Sequence, residues 1–242
     1  IDNHRWLALS VKEELRVLCV NGKPAGGSFQ GATDYLVRAL APIDDAERAV
    51  VRPEVVPESA LVERDLSQYD CIFLANVGQF TASEAQVLDS YLRQGGGMVF
   101  FLGDQVQADS YNRQLGGETA DGVRVLPALL GDVADEAHYQ IDPLDYRHPL
   151  VSVFRGQERS GLLTTPIYQY VRLRLPEDSQ AKVALGLVDG DPLIVEEPIH
   201  RGRSILVATS ADTSWTPMPM WSSYVPVVQE LVSAAVSGQL GQ

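Results

Sequence analysis

The chain reads as an α/β fold, a doubly wound and mostly parallel sheet with an antiparallel β extension in its C-terminal half. Three observations predict this. Short apolar runs alternate with helical patterns as far as residue 105, the order that strand–helix–strand units require. The runs over 69–77 and 98–102 are almost continuously apolar, as strands covered on both faces are. Beyond residue 164 strand-length runs follow one another across short turns, among them Asp189-Gly190-Asp191, whose Asp-Gly pair suits the positive φ of a hairpin. With 242 residues, 45% of them hydrophobic and 21% charged, the chain has a globular composition and enough length to bury a large core.

Leu15–Val20 is the first strand, closed by Asn21-Gly22-Lys23-Pro24. Residues 33–40 then place Tyr35, Leu36, Ala39 and Leu40 on one helical face. Residues 50–56 form a second strand, which Pro53 and Pro57 push towards a sheet edge because proline has no amide to donate. Tyr69–Val77 is the third. Thr81 and Glu84 have the spacing of a capping box and open a helix through Ala85, Leu88 and Leu92 that ends at Gly95-Gly96-Gly97, where glycine tolerates a left-handed cap. Met98–Leu102 is the fourth strand, followed by the sharp turn Gly103-Asp104-Gln105. Right-handed crossovers make these units doubly wound.

Residues 109–163 are rich in Gly, Asp and Pro and hold only short apolar pieces such as Val123–Leu130. Tyr168–Leu175, Lys182–Val188, Leu193–Pro198 and Ser204–Thr209 read as antiparallel strands, and a helix over Val225–Val236 closes the chain. Residues 15–237 form one expected domain, with 1–14 as the end of a preceding segment or linker and 238–242 as a tail. Such ends suit a piece of a longer protein, with a tag-cleaved intact protein as the alternative.

A net charge of −13, from 19 Lys and Arg against 32 Asp and Glu, argues against a nucleic-acid partner, since phosphate binding needs clustered cations. No apolar run approaches the roughly 20 residues of a membrane-spanning helix, so membrane association is expected only through other parts of a longer parent chain. Cys19 and Cys71 sit inside apolar strands and read as small core side chains. His138 and His148 lie among acids, but without the paired spacing of a metal site they read as surface residues. Gly26-Gly27-Ser28 and Gly95-Gly96-Gly97 lack the phosphate-loop pattern. No metal or cofactor is expected.

The stretch from Tyr69 to Gln105, a strand Tyr-Asp-Cys-Ile-Phe-Leu, a capped helix, three glycines, Met98–Leu102 and a sharp turn, resembles the class I glutamine amidotransferase-like fold. It is most similar to the trehalose-utilisation-like proteins and to amidotransferase-like domains of envelope proteins with von Willebrand factor A modules. Asp189–Val195, Gly202–Val207 and Thr213-Ser214-Trp215 also resemble that last group, and the similarity covers residues 15–237. The resemblance implies a flavodoxin-like sheet and a cell-envelope, extracytoplasmic location, with a cytoplasmic one as the alternative. Active members of the family carry a cysteine nucleophile at a strand-to-helix elbow and a His and Glu near the C-terminus. Here the elbow position falls on Phe101 or Leu102, and no His-x-Glu occurs. Glutaminase activity is therefore not expected.

Open α/β sheets bind ligands beyond the carboxyl ends of their strands. The expected crevice residues are Asn21, Asn76, Gly103, Asp104, Gln105, Asp212 and Trp215, with Gly22, Lys23 and Gln79 nearby. Asp104 has the chemistry of a base, a nucleophile or a cation ligand; the simpler expectation is that it caps the following helix. Trp215, with Trp221 and Tyr224, forms an aromatic cluster suited to a sugar or peptide, unless Trp215 packs over the sheet end and Asp212 fixes the turn. The expected function is a non-catalytic module that binds a protein or a small polar ligand, or serves assembly, within a larger membrane-associated protein. The alternative is a hydrolase or isomerase on a sugar-like substrate using Asp104 and Asp212, which glycoside cleavage requires about 5–9.5 Å apart. A structural spacer is a third reading.

Overall fold

Alternating apolar runs and capped helices assemble in the computed structural model, which describes residues 14–42, 50–117, 123–156 and 161–237. The expected linker up to residue 13 and the tail from 238 lie outside the described residues. Along the chain β1 (Leu15–Asn21), α1 (Asp34–Leu40), β2 (Val51–Pro57), β3 (Cys71–Ala75), α2 (Ala82–Arg93), β4 (Gly97–Phe101) and α3 (Ala108–Leu115) come first. They are followed by β5 (Leu129–Ala134), β6 (Tyr139–Asp142), α4 (Pro149–Ser152), β7 (Pro166–Ile167), β8 (Tyr170–Arg174), β9 (Lys182–Leu187), β10 (Pro192–Ile199), β11 (Gly202–Val207) and α5 (Tyr224–Val236).

Nine strands form one sheet in the order β2-β1-β3-β4-β11-β10-β9-β6-β7. The first five are mutually parallel and the remainder antiparallel. The proline-bearing β2 lies at an edge, as its missing donors require. β3 and β4 are buried along their whole length, which accounts for their unbroken apolar runs. Helices cover both faces. Along β4, Gly97 faces α5, where an added Cβ would lie 2.3 Å from the Ala235 carbonyl oxygen. Phe100, on the opposite face because strand side chains alternate, packs edge-on against Phe80 and against Tyr111 of α3.

Two expectations for the second half are corrected. The run over Ser204–Thr209 was expected among antiparallel strands; β11 is antiparallel to β10 but parallel to β4, with Arg203 opposite Gly97 and Val207 opposite Phe101. The turn at His200-Arg201 specifies the hairpin on one edge of β11, while the other edge is free to enter the parallel set. The run over Tyr168–Leu175 does not join the other three. Its core, β8, pairs with β5 in a separate two-stranded sheet.

The helix signals hold where the chemistry is local. Thr81 and Glu84 form the reciprocal capping box, the Glu84 carboxylate accepting from the Thr81 amide at 2.7 Å. α2 then stops ahead of Gly95, which adopts φ 97°. Because Gly97 lies against the α5 backbone, Gly97→Ala is expected to destabilise the fold by about 1–3 kcal/mol through overpacking. Chemical denaturation checks this, and an unchanged midpoint would contradict the close approach of α5 to β4.

Candidate functional site

The carboxyl ends of β1, β3 and β4 meet at Asn76. This residue is 2% exposed and sits at φ 53°, the left-handed region that asparagine enters more readily than other non-glycine residues. Its amide donates to the Phe101 carbonyl at 2.9 Å. Its side-chain Oδ1 accepts from the Gln105 amide at 2.9 Å, and its Nδ2 donates to Asp104 Oδ1 at 2.8 Å. Two glycines make this possible. A Cβ at Gly22 would lie 2.1 Å from the Asn76 carbonyl oxygen, and one at Gly103 would lie 2.4 Å from the Asn76 Cγ.

Asp104 is the centre of the resulting cluster. Lys23 Nζ reaches both carboxylate oxygens at 2.9 Å, and Gln105 Nε2 donates to Oδ2 at 2.9 Å. Partial burial pushes the carboxyl upward, but the hydrogen bonds from Asn76, Lys23 and Gln105, together with the Lys23 charge, outweigh it and hold the group below its ordinary value. The expectation that Asp104 caps the next helix is corrected. That helix starts at Ala108 with Gln107 at its N-cap, and the turn over 103–106 carries Asp104 back towards β1.

The other expected residues do not join this cluster. The Asn21 Oδ1 accepts from the Lys23 amide at 3.1 Å, and Asn21 lines an open cavity of about 840 Å³ bounded by Gly26, Gly27, Thr33 and Arg52. Asp212 is 5% exposed. It accepts from the Ser214 amide at 2.9 Å and from the Ser214 hydroxyl, closing its own turn. Trp215 is buried, its amide donating to Ser210 Oγ and its carbonyl accepting from Tyr168 and Gln169. Tyr224 is buried with its hydroxyl on the Ala211 carbonyl, so of the expected aromatic cluster Trp221 alone is exposed. Packing and turn fixation account for this segment, and Asp104 and Asp212 share no hydrogen-bond partner.

The elbow itself holds Phe101 and Leu102, 3% and 0% exposed. Both thiols are fully buried in their strands, and burial pushes each above its ordinary value, the opposite of what a nucleophilic thiolate needs. Among the described residues no group of three His, Cys, Asp or Glu side chains stands ready to hold a metal ion.

One cluster escaped the sequence reading. His138 is exposed, as expected, but His148 is corrected: its side chain is 11% exposed and its Nε2 lies 2.9 Å from Glu196 Oε1. Glu196 is 6% exposed, and its other oxygen accepts from Arg203 at 2.5 Å. The available signal was Glu196-Glu197 inside the apolar run Leu193–Ile199, since buried carboxylates need partners.

Two predictions follow from the Asn76 cluster. Asn76→Ala is expected to cost about 2 kcal/mol or more, from lost hydrogen bonds and a left-handed alanine; Asn76→Gly, which keeps the backbone freedom, separates the two contributions in denaturation curves. The depressed Asp104 contributes stability in full above its unfolded-state pKa of about 3.9, and loses it as pH falls through the lower folded value. Asp104→Asn therefore flattens the acid limb of a stability-against-pH curve below about pH 4, and an unchanged limb would show that the bonds from Asn76, Lys23 and Gln105 to the carboxylate contribute nothing.

No family model matches the chain, and no curated protein matches it. Solved structures share its fold at low identity. A cytoplasmic protein from Salmonella typhimurium is similar over 91% of this chain and 98% of its own, at 16% identity and a TM-score of 0.66. A ThuA-like protein from Parabacteroides merdae is similar over 95% of this chain and 92% of its own, at 14% identity and a TM-score of 0.53. A cold-adapted β-galactosidase from Rahnella matches over 95% of this chain but only 32% of its own, at 15% identity and a TM-score of 0.61.

Proposed function

We propose that the chain is a divergent, non-catalytic member of the class I glutamine amidotransferase-like group, acting as a ligand- or protein-binding or assembly module of a larger protein. The observation that carries this reading is the elbow. Phe101 and Leu102 stand there as buried core side chains, and the first polar residue beyond them, Asp104, is engaged by Lys23, Asn76 and Gln105. The parallel strands in the order β2-β1-β3-β4-β11 support a flavodoxin-like core, which has second, first, third, fourth and fifth strands in that sequence. The likeness to the ThuA-like protein supports the subgroup. The β-galactosidase likeness, confined to a third of that chain, supports a fold that also occurs as one part of a longer protein.

The hydrolase alternative needs two carboxylates working across one pocket. It is disfavoured because Asp212 is buried, with its carboxylate on both the amide and the hydroxyl of Ser214, and Asp104 is held ionised, which suits no general acid at neutral pH. Among the described residues no helix is long and apolar enough to cross a membrane. An envelope location rests on the subgroup resemblance alone, and the Salmonella neighbour's cytoplasmic label is compatible with the alternative.

The test is an activity panel of glutamine and nitrophenyl glycosides, run on the chain and on an Asp104→Asn, Asp212→Asn double variant. Equal, background-level rates are expected. Turnover that disappears in the double variant would overturn the non-catalytic reading.

A further inference from the structure

The amino-terminal ends of the parallel strands, opposite the Asp104 cluster, border a second cavity. An open cavity of about 860 Å³ there is lined by Asp142, Leu144, His148, Lys182, Glu196 and Arg203, together with Asp145 and Arg147. Antiparallel pairing sets its floor. Lys182 on β9 stands directly across from Glu196 on β10. Ile205 is opposite Glu196 on β11, so Arg203 is its diagonal neighbour. His148 enters from the N-cap of α4, its Nδ1 accepting from the Leu150 amide at 3.3 Å.

Charge pairing within this cavity is uneven. Glu196 spends one oxygen on His148 and the other on Arg203. Arg147 pairs with Asp145 at 2.7 Å. Two charges are left over among the described residues. Lys182 has no carboxylate partner, although Glu196 is its cross-strand neighbour. Asp142 accepts only the Leu144 amide, at 2.9 Å. Arg203 lines the cavity with its guanidinium, which is partly exposed and spends Nη1 on Glu196. The cavity thus offers cationic donors at one end and an uncompensated carboxylate at the other.

The spacing of those ends selects a ligand length. Asp142 lies opposite Gly186, and Lys182 is four residues back along the same strand, about 13 Å at roughly 3.3 Å per residue. With side chains reaching inward from both ends, a ligand spanning about 10 Å fits, the length of three extended residues. Leu144, Val183 and Pro149 supply an apolar wall between the poles. Leu144 and Asp145, which line the cavity, adopt φ of 51° and 57°, the left-handed region that non-glycine residues seldom enter.

We propose that this cavity binds a short peptide of about three residues with free termini, its carboxylate on Lys182 and Arg203 and its ammonium on Asp142. The proposal rests on the binding-module reading and deepens it by naming a ligand class. A peptide suits an acidic protein because it carries no net charge to be repelled by the surrounding field.

The experiment is a calorimetric or NMR titration with trialanine, its N-acetyl form and its C-terminal amide, on the chain and on Lys182→Ala and Asp142→Asn. Saturable binding of trialanine is expected, weakened roughly three- to fivefold by blocking either end, as for partly exposed ion pairs. Lys182→Ala should reduce the sensitivity to amidation, Arg203 remaining, and Asp142→Asn should abolish the sensitivity to acetylation. Both positions are at the cavity surface, and unchanged thermal melts establish that the variants fold. Blocked peptides binding as well as free ones, no saturation at millimolar trialanine, or acetate competing as effectively as the peptide would each overturn the proposal. Failure to bind intact peptide leaves the non-catalytic reading standing, whereas cleavage of trialanine during the titration overturns that reading.

Discussion

A single asparagine in a left-handed conformation governs the carboxyl end of this sheet. Three strands running parallel must end at one level, and their last carbonyls and amides need partners there. Asn76 supplies them by taking the Phe101 carbonyl with its amide and the Gln105 amide with its side chain. The turn after β1 and the turn after β4 both approach it more closely than any side chain allows, so glycine occupies positions 22 and 103. Asp104 is positioned by the same residue, and Lys23 closes over it. The turn after β4 is thereby a junction whose polar groups hydrogen-bond one another.

A comparable constraint acts at the other half of the sheet. Glu196 and Glu197 are adjacent on β10 and point to opposite faces, and both are buried. An unpaired buried carboxylate would cost several kcal/mol, so each face must bring a cation. Arg124 comes to Glu197 with one nitrogen 2.7 and 2.8 Å from its two oxygens, and the Gln180 amide adds a third bond. His148 and Arg203 come to Glu196. These pairings draw in residues 124 and 148 from the irregular central region, which has little apolar periodicity of its own. Partnering a strand that carries two acids is what fixes that region against the sheet.

The two ends of the sheet consequently differ in what they leave available. At the carboxyl ends the polar side chains are mutually satisfied, and the elbow offers no nucleophilic side chain. At the amino ends the pairing around Glu196 leaves Lys182 and Asp142 without charged partners among the described residues, beside an open cavity.

The sequence by itself determined the local elements. Period-two and helical patterns, the Thr81–Glu84 box, the prolines of β2 and the Asp-Gly turn were all legible, because each depends on residues within a few positions of one another. That Phe101 and Leu102 carry no nucleophilic group was legible for the same reason, since no arrangement supplies one to an apolar side chain. Tertiary structure alone decided the rest. Whether Asp104 caps a helix or meets Lys23 is settled across 81 residues, and whether His148 stays in solvent or meets Glu196 across 48. The parallel edge of β11 depends on β4, where Arg203 meets Gly97, 106 positions earlier in the chain. Spacing along the chain carries no record of such meetings; they follow from which strand edges remain open and which buried charges still need a partner once the sheet has formed.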